Sequence, residues 1–136
     1  MDCTVKILAP EEAEKYAAAA SHLYRQAKWI DSTVPDCYLI PVLRNSYCVM
    51  GALDETGKLI GMMRALSDGV SDAYLLDMVV EESHRRKGIA HEILRALTEH
   101  LKGKGIDWIV CISVPGAESL YKSAGNVMKD FTPFRF

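Results

Sequence analysis

The sequence predicts one mixed α/β domain, with an antiparallel meander feeding a parallel β-α-β crossover and helices on both faces of a central sheet. Three observations predict it. Apolar-rich segments at Tyr47–Leu53, Lys58–Leu66 and Ala73–Val80 are separated by turn chemistry, Asp54-Glu55-Thr56-Gly57 and Asp68-Gly69. Apolar residues recur at three- and four-residue steps after Pro10 and again after Gly88, the signature of amphipathic helices. Finally, Ile106 to Ser113 is nearly continuously apolar, as expected of a central parallel strand.

The elements follow in order. Thr4 to Leu8 alternates and forms a first strand. Pro10, Glu11 and Glu12 suit a helix start, because proline fits the first turn and carboxylates favour its positive end. Ala13, Tyr16, Ala17, Ala20, Leu23, Tyr24 and Ala27 then share one face. A turn over 31–35 leads to a short helix over 36–45, which contains Pro41. After the meander, Ile89, Ala90, Ile93, Leu94, Leu97 and Leu101 form the buried stripe of a helix over 88–101, ended by Gly103 and Gly105. Pro115 to Ala124 reads as a short helix closed by Gly125, and Val127 to Phe136 as a last strand interrupted at Pro133.

Composition bounds the function. The 136 residues suit a single core, so the domain is expected to span 1–136. Apolar residues at 49% and charged residues at 25% are ordinary for a globular chain. A net charge of -2 argues against nucleic acid or an anionic membrane as partner. No apolar run reaches the about 20 residues of a membrane span, and no secretory leader is visible, so the expected location is the cytoplasm. Cys3, Cys37, Cys48 and Cys111 are scattered and read as free thiols. His91-Glu92 begins a zinc-helix pattern, but Arg95 stands where the second histidine is needed, so no metal site is expected.

Against that acidic balance, His84, Arg85, Arg86 and Lys87 crowd the start of the helix beside Gly88. A helix N-terminus presents unpaired N–H groups and positive potential, and glycine lets an anion approach the backbone. The combination reads as a phosphate or pyrophosphate cradle, although both the Walker and the dinucleotide spacings are absent. The alternative is a solvated charge run at a helix start.

Arg85-Arg86-Lys87-Gly88-Ile89-Ala90 resembles the Arg/Gln-x-x-Gly-x-Gly/Ala motif of the GNAT superfamily of acyl-CoA-dependent N-acetyltransferases, and it follows a strand ending in Val79-Val80. The element order extends the resemblance over nearly the whole chain. Pro115-Gly116-Ala117-Glu118-Ser119-Leu120-Tyr121 is similar to the family's second CoA-side segment. That segment usually continues to Gly-Phe, whereas here Asn126 follows Gly125, and Val114 stands where Asn is usual. The resemblance implies a GNAT-like fold and acetyl-CoA as cosubstrate, with pyrophosphate held by Arg85, Arg86, Lys87, Gly88, Ile89 and Ala90. It implies that the strand carrying Met78, Val79 and Val80 splays from its parallel neighbour, often with a bulge, and that this exposed backbone meets the pantetheine arm as an added strand would.

In such a site an amine attacks the thioester directly, and an exposed N–H stabilises the oxyanion. The resemblance makes Tyr121 the acid that protonates the departing thiolate; the plainer alternative is packing. Asp77 interrupts an apolar strand and either receives the cationic amine or pairs with Arg64. Glu118 is a weaker candidate for the base and reads first as a first-turn helix carboxylate, His84 as a loop residue and Cys111 as a core thiol. Trp29, Tyr24 and Tyr38 belong to the core or line an amine pocket. The expected partner is a small amine or peptide amine, and a homodimer is compatible with the sequence. A longer acyl donor, a CoA-binding sensor without turnover and an anion-binding structural domain stay open as alternatives.

Overall fold

A computed structural model describes residues 2–136. Its five strands lie in the order of the chain: β1 (Cys3–Ile7), β2 (Cys48–Asp54), β3 (Leu59–Ser67), β4 (Asp72–Val80) and β5 (Trp108–Cys111). The first four pair antiparallel, and β5 pairs parallel to β4. Helices α1 (Ala13–Gln26) and α2 (Leu39–Asn45) precede β2; α3 (Ile89–Gly103) links β4 to β5, and α4 (Glu118–Lys122) follows. This is the mixed α/β fold that the sequence predicts.

Strand alternation sends successive side chains to opposite faces, and each face has its own core. On one side Val49, Leu53, Leu59, Met62 and Val79 pack with Ala13, Tyr16, Ala17, Ala20, Leu23 and Tyr24 of α1 and with α2. On the other, Met50, Ala52, Ile60, Met63 and Val80 pack under Ile89, Ile93, Leu94, Leu97 and Leu101 of α3. The adjacent pairs Met62/Met63 and Val79/Val80 show the alternation directly. Gly61 permits the close approach of α3, because a Cβ there would lie 3.1 Å from Ile93 Cδ1.

The hairpin turn forms as expected: Asp54 Oδ1 accepts from the N–H groups of Thr56 and Lys58, and Gly57 takes φ +86°. The segment over 36–45 divides into a 3-10 turn and α2, with Pro41 inside the first helical turn, where its missing N–H has no partner to lose. At its other end α1 closes in a Schellman arrangement. Lys28, at φ +62°, donates to Arg25 O, and Trp29 donates to Tyr24 O, which folds the Trp29 ring edge-on against Tyr24 at 5.1 Å.

Two expectations fail at the far edge. The apolar run Ile106–Ser113 yields only the four-residue β5, and β5 is an edge strand, not a central one. Trp108 and Ile112 are consequently exposed. Val127 to Phe136 forms no strand: Pro133 lacks an N–H for a ladder, and the Phe131 ring lies against Trp108 of the edge strand, ring centroids 6.0 Å apart. The helix over 115–124 is likewise reduced to the short α4.

Candidate active site

Strands β4 and β5 part midway. Their pairing ends at Leu75 opposite Cys111, while β4 continues to Val80 with no β5 neighbour. On its other side β4 carries a bulge, since Asp77 and Met78 together oppose Met63 between the Arg64–Leu76 and Met62–Val79 pairs. Asp77 occupies the left-handed region at φ +60°, a conformation that aspartate tolerates better than most residues. The bulge turns a strand residue out of register, and past Leu75 the β4 edge from Leu76 to Val80 is a bare wall on the β5 side.

At the end of that wall the chain turns through Glu82–His84 into the basic loop. Arg86 and Gly88 both take positive φ, +63° and +81°. A Cβ on Gly88 would meet nothing within 4 Å, so the torsion demands glycine and packing does not. No side chain caps α3, and its first recorded i→i−4 bond runs from Glu92 N to Gly88 O. The amides of Ile89, Ala90 and His91 therefore remain at the positive end of a fifteen-residue helix.

A cavity of about 390 Å³ opens here, lined by Val80, His84, Arg85, Arg86, Gly88, Ile89, Ala90, His91 and Leu120. It brings together most of the residues read as the cradle and adds Leu120, the neighbour of Tyr121, from the next helix. Lys87 is exposed and outside the lining, Val79 faces the α1 core, and Met78 packs toward the α3 core. Arg85 is partly structural, because its Nε donates to Val80 O at 2.9 Å and braces the loop against the strand end. His84 and His91 also face the cavity, a placement that the sequence signals only by proximity to the loop.

Tyr121 is half-buried against the α3 core, next to Cys111. Burial pushes its phenol up to about 12, with Cys111 and Tyr74 adding to the rise, so it is protonated at neutral pH. Burial likewise raises the Cys111 thiol, as suits a core thiol and not a nucleophile. Glu118 Oε2 accepts from Gly116 N at 3.0 Å and so closes its own turn.

Asp77 has the partner foreseen in Arg64, whose Nε lies 2.8 Å from Oδ2. Tyr24 adds a second bond to the same oxygen at 2.7 Å. Burial and then the Asp77 charge push the Tyr24 phenol far above its ordinary value. Tyr24 thus anchors the carboxylate, a role that helical periodicity cannot reveal because its partner is 53 residues away. A larger depression of about 690 Å³ is lined by Arg25, Lys28, Trp29, Ile30, Asp31, Ser32, Val34 and Tyr38.

The sequence model of the Acetyltransferase (GNAT) family matches residues 8–125. The chain belongs to that family. Serotonin N-acetyltransferase 2, chloroplastic, of Oryza sativa subsp. japonica is 31% identical over 77 residues, 57% of this chain and 38% of that protein. An uncharacterized N-acetyltransferase ycf52-like of Prochlorococcus marinus is 32% identical over 86 residues, 61% of this chain and 48% of that protein. The match thus spans less than half the length of these two relatives. Among solved structures, an aminoglycoside acetyltransferase from an uncultured soil metagenomic sample superposes with TM-score 0.79 at 19% identity, covering 99% of this chain and 95% of that one. The ribosomal-protein-alanine N-acetyltransferase of Brucella melitensis biovar Abortus 2308 superposes with TM-score 0.77 at 18% identity, covering 100% and 99%. At such identities these two share the fold.

Proposed function

We propose that the protein is an N-acetyltransferase that transfers the acetyl group of acetyl-CoA to a primary amine by direct attack in a ternary complex. One observation carries the reading: the β4 edge from Leu76 to Val80, which has no β5 partner, runs straight into the positive-φ loop and the free amides of α3. An extended amide-bearing arm can pair with the first, and a pyrophosphate can sit in the second. The rice relative's name and the family support the same chemistry.

In this reading the amides of Ile89, Ala90 and His91 hold the phosphates, with Arg86 at the cavity wall. The freed strand backbone donates to the thioester oxygen as charge develops there. The amine nitrogen forms its bond to the carbonyl carbon, the carbon–sulfur bond breaks, and Tyr121 gives its proton to the sulfur. The proton released by the new amide nitrogen restores the tyrosine through solvent. Asp77, with Oδ2 held by Arg64 and Tyr24, orients the incoming amine through Oδ1. The depression at Trp29 and Tyr38 receives the body of the acceptor.

The test is thiol release from acetyl-CoA across a panel of primary amines. Amine-dependent release with a matching acetylated product supports the reading; none across small amines, amino acids and peptide amines overturns it. A CoA-binding domain without turnover is favoured by one observation, that Asp77 is already engaged by two side chains. It would show CoA binding with no thiol release.

A further inference from the structure

Glu81 lies at the junction where β4 ends and the cradle loop begins. It is the one acidic residue among the buried polar residues of the described chain. Its backbone N–H donates to Ile60 O at 2.8 Å, and its carbonyl accepts from His84 N at 2.9 Å. Its carboxylate gathers basic groups from three separate elements. Lys58 Nζ, from the β2–β3 turn, is 3.4 Å from Oε1, and His22 Nε2, from α1, is 3.7 Å from the same oxygen. His84 Nδ1, from the loop itself, is 3.0 Å from Oε2.

A buried carboxylate is costly without partners, and exposed ion pairs contribute little by themselves. Here the carboxylate side chain is only 12% exposed, so its contacts are less screened than those of a surface pair. The geometry also points somewhere. His84 lines the cradle cavity and stands two residues before Arg86, the first residue of the loop at positive φ. Such torsions persist only where the surroundings hold them. Two side-chain contacts to the strand end hold this loop, His84 to the Glu81 carboxylate and Arg85 to Val80 O, beside the main-chain bond from His84 N to Glu81 O. Helix α1 adds a further brace, since Gln26 Oε1 accepts from Glu82 N at 3.2 Å and Gln26 also meets His22.

We infer that Glu81 is a positioning residue for the acyl donor: its carboxylate fixes the cradle loop in the anion-binding conformation by tying it to α1 and to the β2–β3 turn. The inference rests on the donor reading above. Glu81 touches no donor atom, so its effect lies in binding and not in the chemical step. Replacing the carboxylate by an isosteric amide leaves Lys58 and any protonated histidine facing one another without a counter-charge. That pushes His84, and the loop with it, away from the strand end.

The experiment measures CoA affinity calorimetrically, and acetyl-transfer kinetics on an acceptor identified by the panel, for the parent, Glu81→Gln, His84→Gln and Glu11→Gln. Glu81→Gln is expected to weaken CoA binding roughly tenfold and to raise KM for acetyl-CoA to match, with kcat within about twofold of the parent. His84→Gln should show a smaller change of the same kind. Glu11→Gln, exposed and before the opposite end of α1, should leave both constants unchanged. Parent-like CoA affinity in Glu81→Gln overturns the inference, as does a fall in kcat with affinity preserved. Should Glu81→Gln fail to fold, parent-like affinity in His84→Gln overturns it equally. Absence of CoA binding in the parent would instead remove the donor reading itself.

Discussion

Arg64 and Asp77 meet across the bulge, Nε to Oδ2 at 2.8 Å, at the one point where β4 departs from register with β3. The guanidinium thus fastens the carboxylate of a residue held at positive φ, and Tyr24 secures the same oxygen from α1. Both side chains of the ion pair are mostly shielded, 17% and 24% exposed, so the contact exceeds an ordinary surface bridge.

Asp77→Asn should therefore destabilise the fold by about 1–3 kcal/mol, since a shielded charge-assisted bond is lost. Tyr24→Phe should cost about 1 kcal/mol. Because both changes act on Oδ2, the double variant should cost less than the two singly, by about 0.5 kcal/mol or more. Urea unfolding measures all three. Strict additivity would mean that the two bonds do not share the oxygen in solution.

Tyr121→Phe keeps the ring and its packing but removes the proton donor. The expected outcome is a kcat lower by about 100-fold, with KM for acetyl-CoA little changed. Since burial holds the phenol up to about 12, Tyr121 stays protonated below that value, and its deprotonation should cause no loss of kcat between pH 7 and 10. Steady-state kinetics across pH check both points. Turnover equal to the parent's would return Tyr121 to a packing role.

Gly88 should separate torsion from space. Gly88→Ala places a methyl in an open volume but at φ +81°, so it should cost about 1–2 kcal/mol in stability and leave the fold intact. Gly88→Glu adds negative charge at the anion site and should abolish CoA binding. Arg85→Ala should weaken CoA binding more mildly, partly through the lost brace to Val80 O and partly through a salt-dependent charge effect. A full CoA-dependent rise in melting temperature in Gly88→Glu would rule out the cradle.

Lys28 carries the left-handed turn that closes α1, where glycine is usual. Lys28→Gly should raise stability by about 0.5–1 kcal/mol, the relief of αL strain exceeding the added freedom of the unfolded chain. Thermal unfolding of the variant provides the check. A loss of stability would show that the Lys28 side chain contributes contacts of its own.

What could be read in the sequence was whatever repeats at short range. The stripes of α1 and α3 follow from three- and four-residue spacing, and the Asp54–Gly57 turn from its own side-chain chemistry. The basic loop at the start of α3 could be read, because a helix start, a glycine and local charge all lie within a few positions. The resemblance implied a bulge in this strand but not its place at Asp77, since Leu75-Leu76-Asp77-Met78 holds no glycine to signal a left-handed residue. The Tyr24–Asp77 bond and the Glu81 hub join distant segments, and no local pattern encodes such meetings. The apolar run before Ser113 misled because hydrophobic content does not show how many neighbours a strand will have. Only four of its residues pair with β4, and the Pro133-containing tail supplies no further strand.

The bulge and the parting of β4 from β5 have an evolutionary corollary. In the proposed function, recognition of the acyl donor is written mainly in main-chain torsions, which many side chains can decorate without erasing. The depression beside Trp29 and Tyr38, the acceptor pocket of that proposal, is made of side chains that a few codon changes can replace. A lineage built on this plan can diversify its acceptors while inheriting its donor handling unchanged.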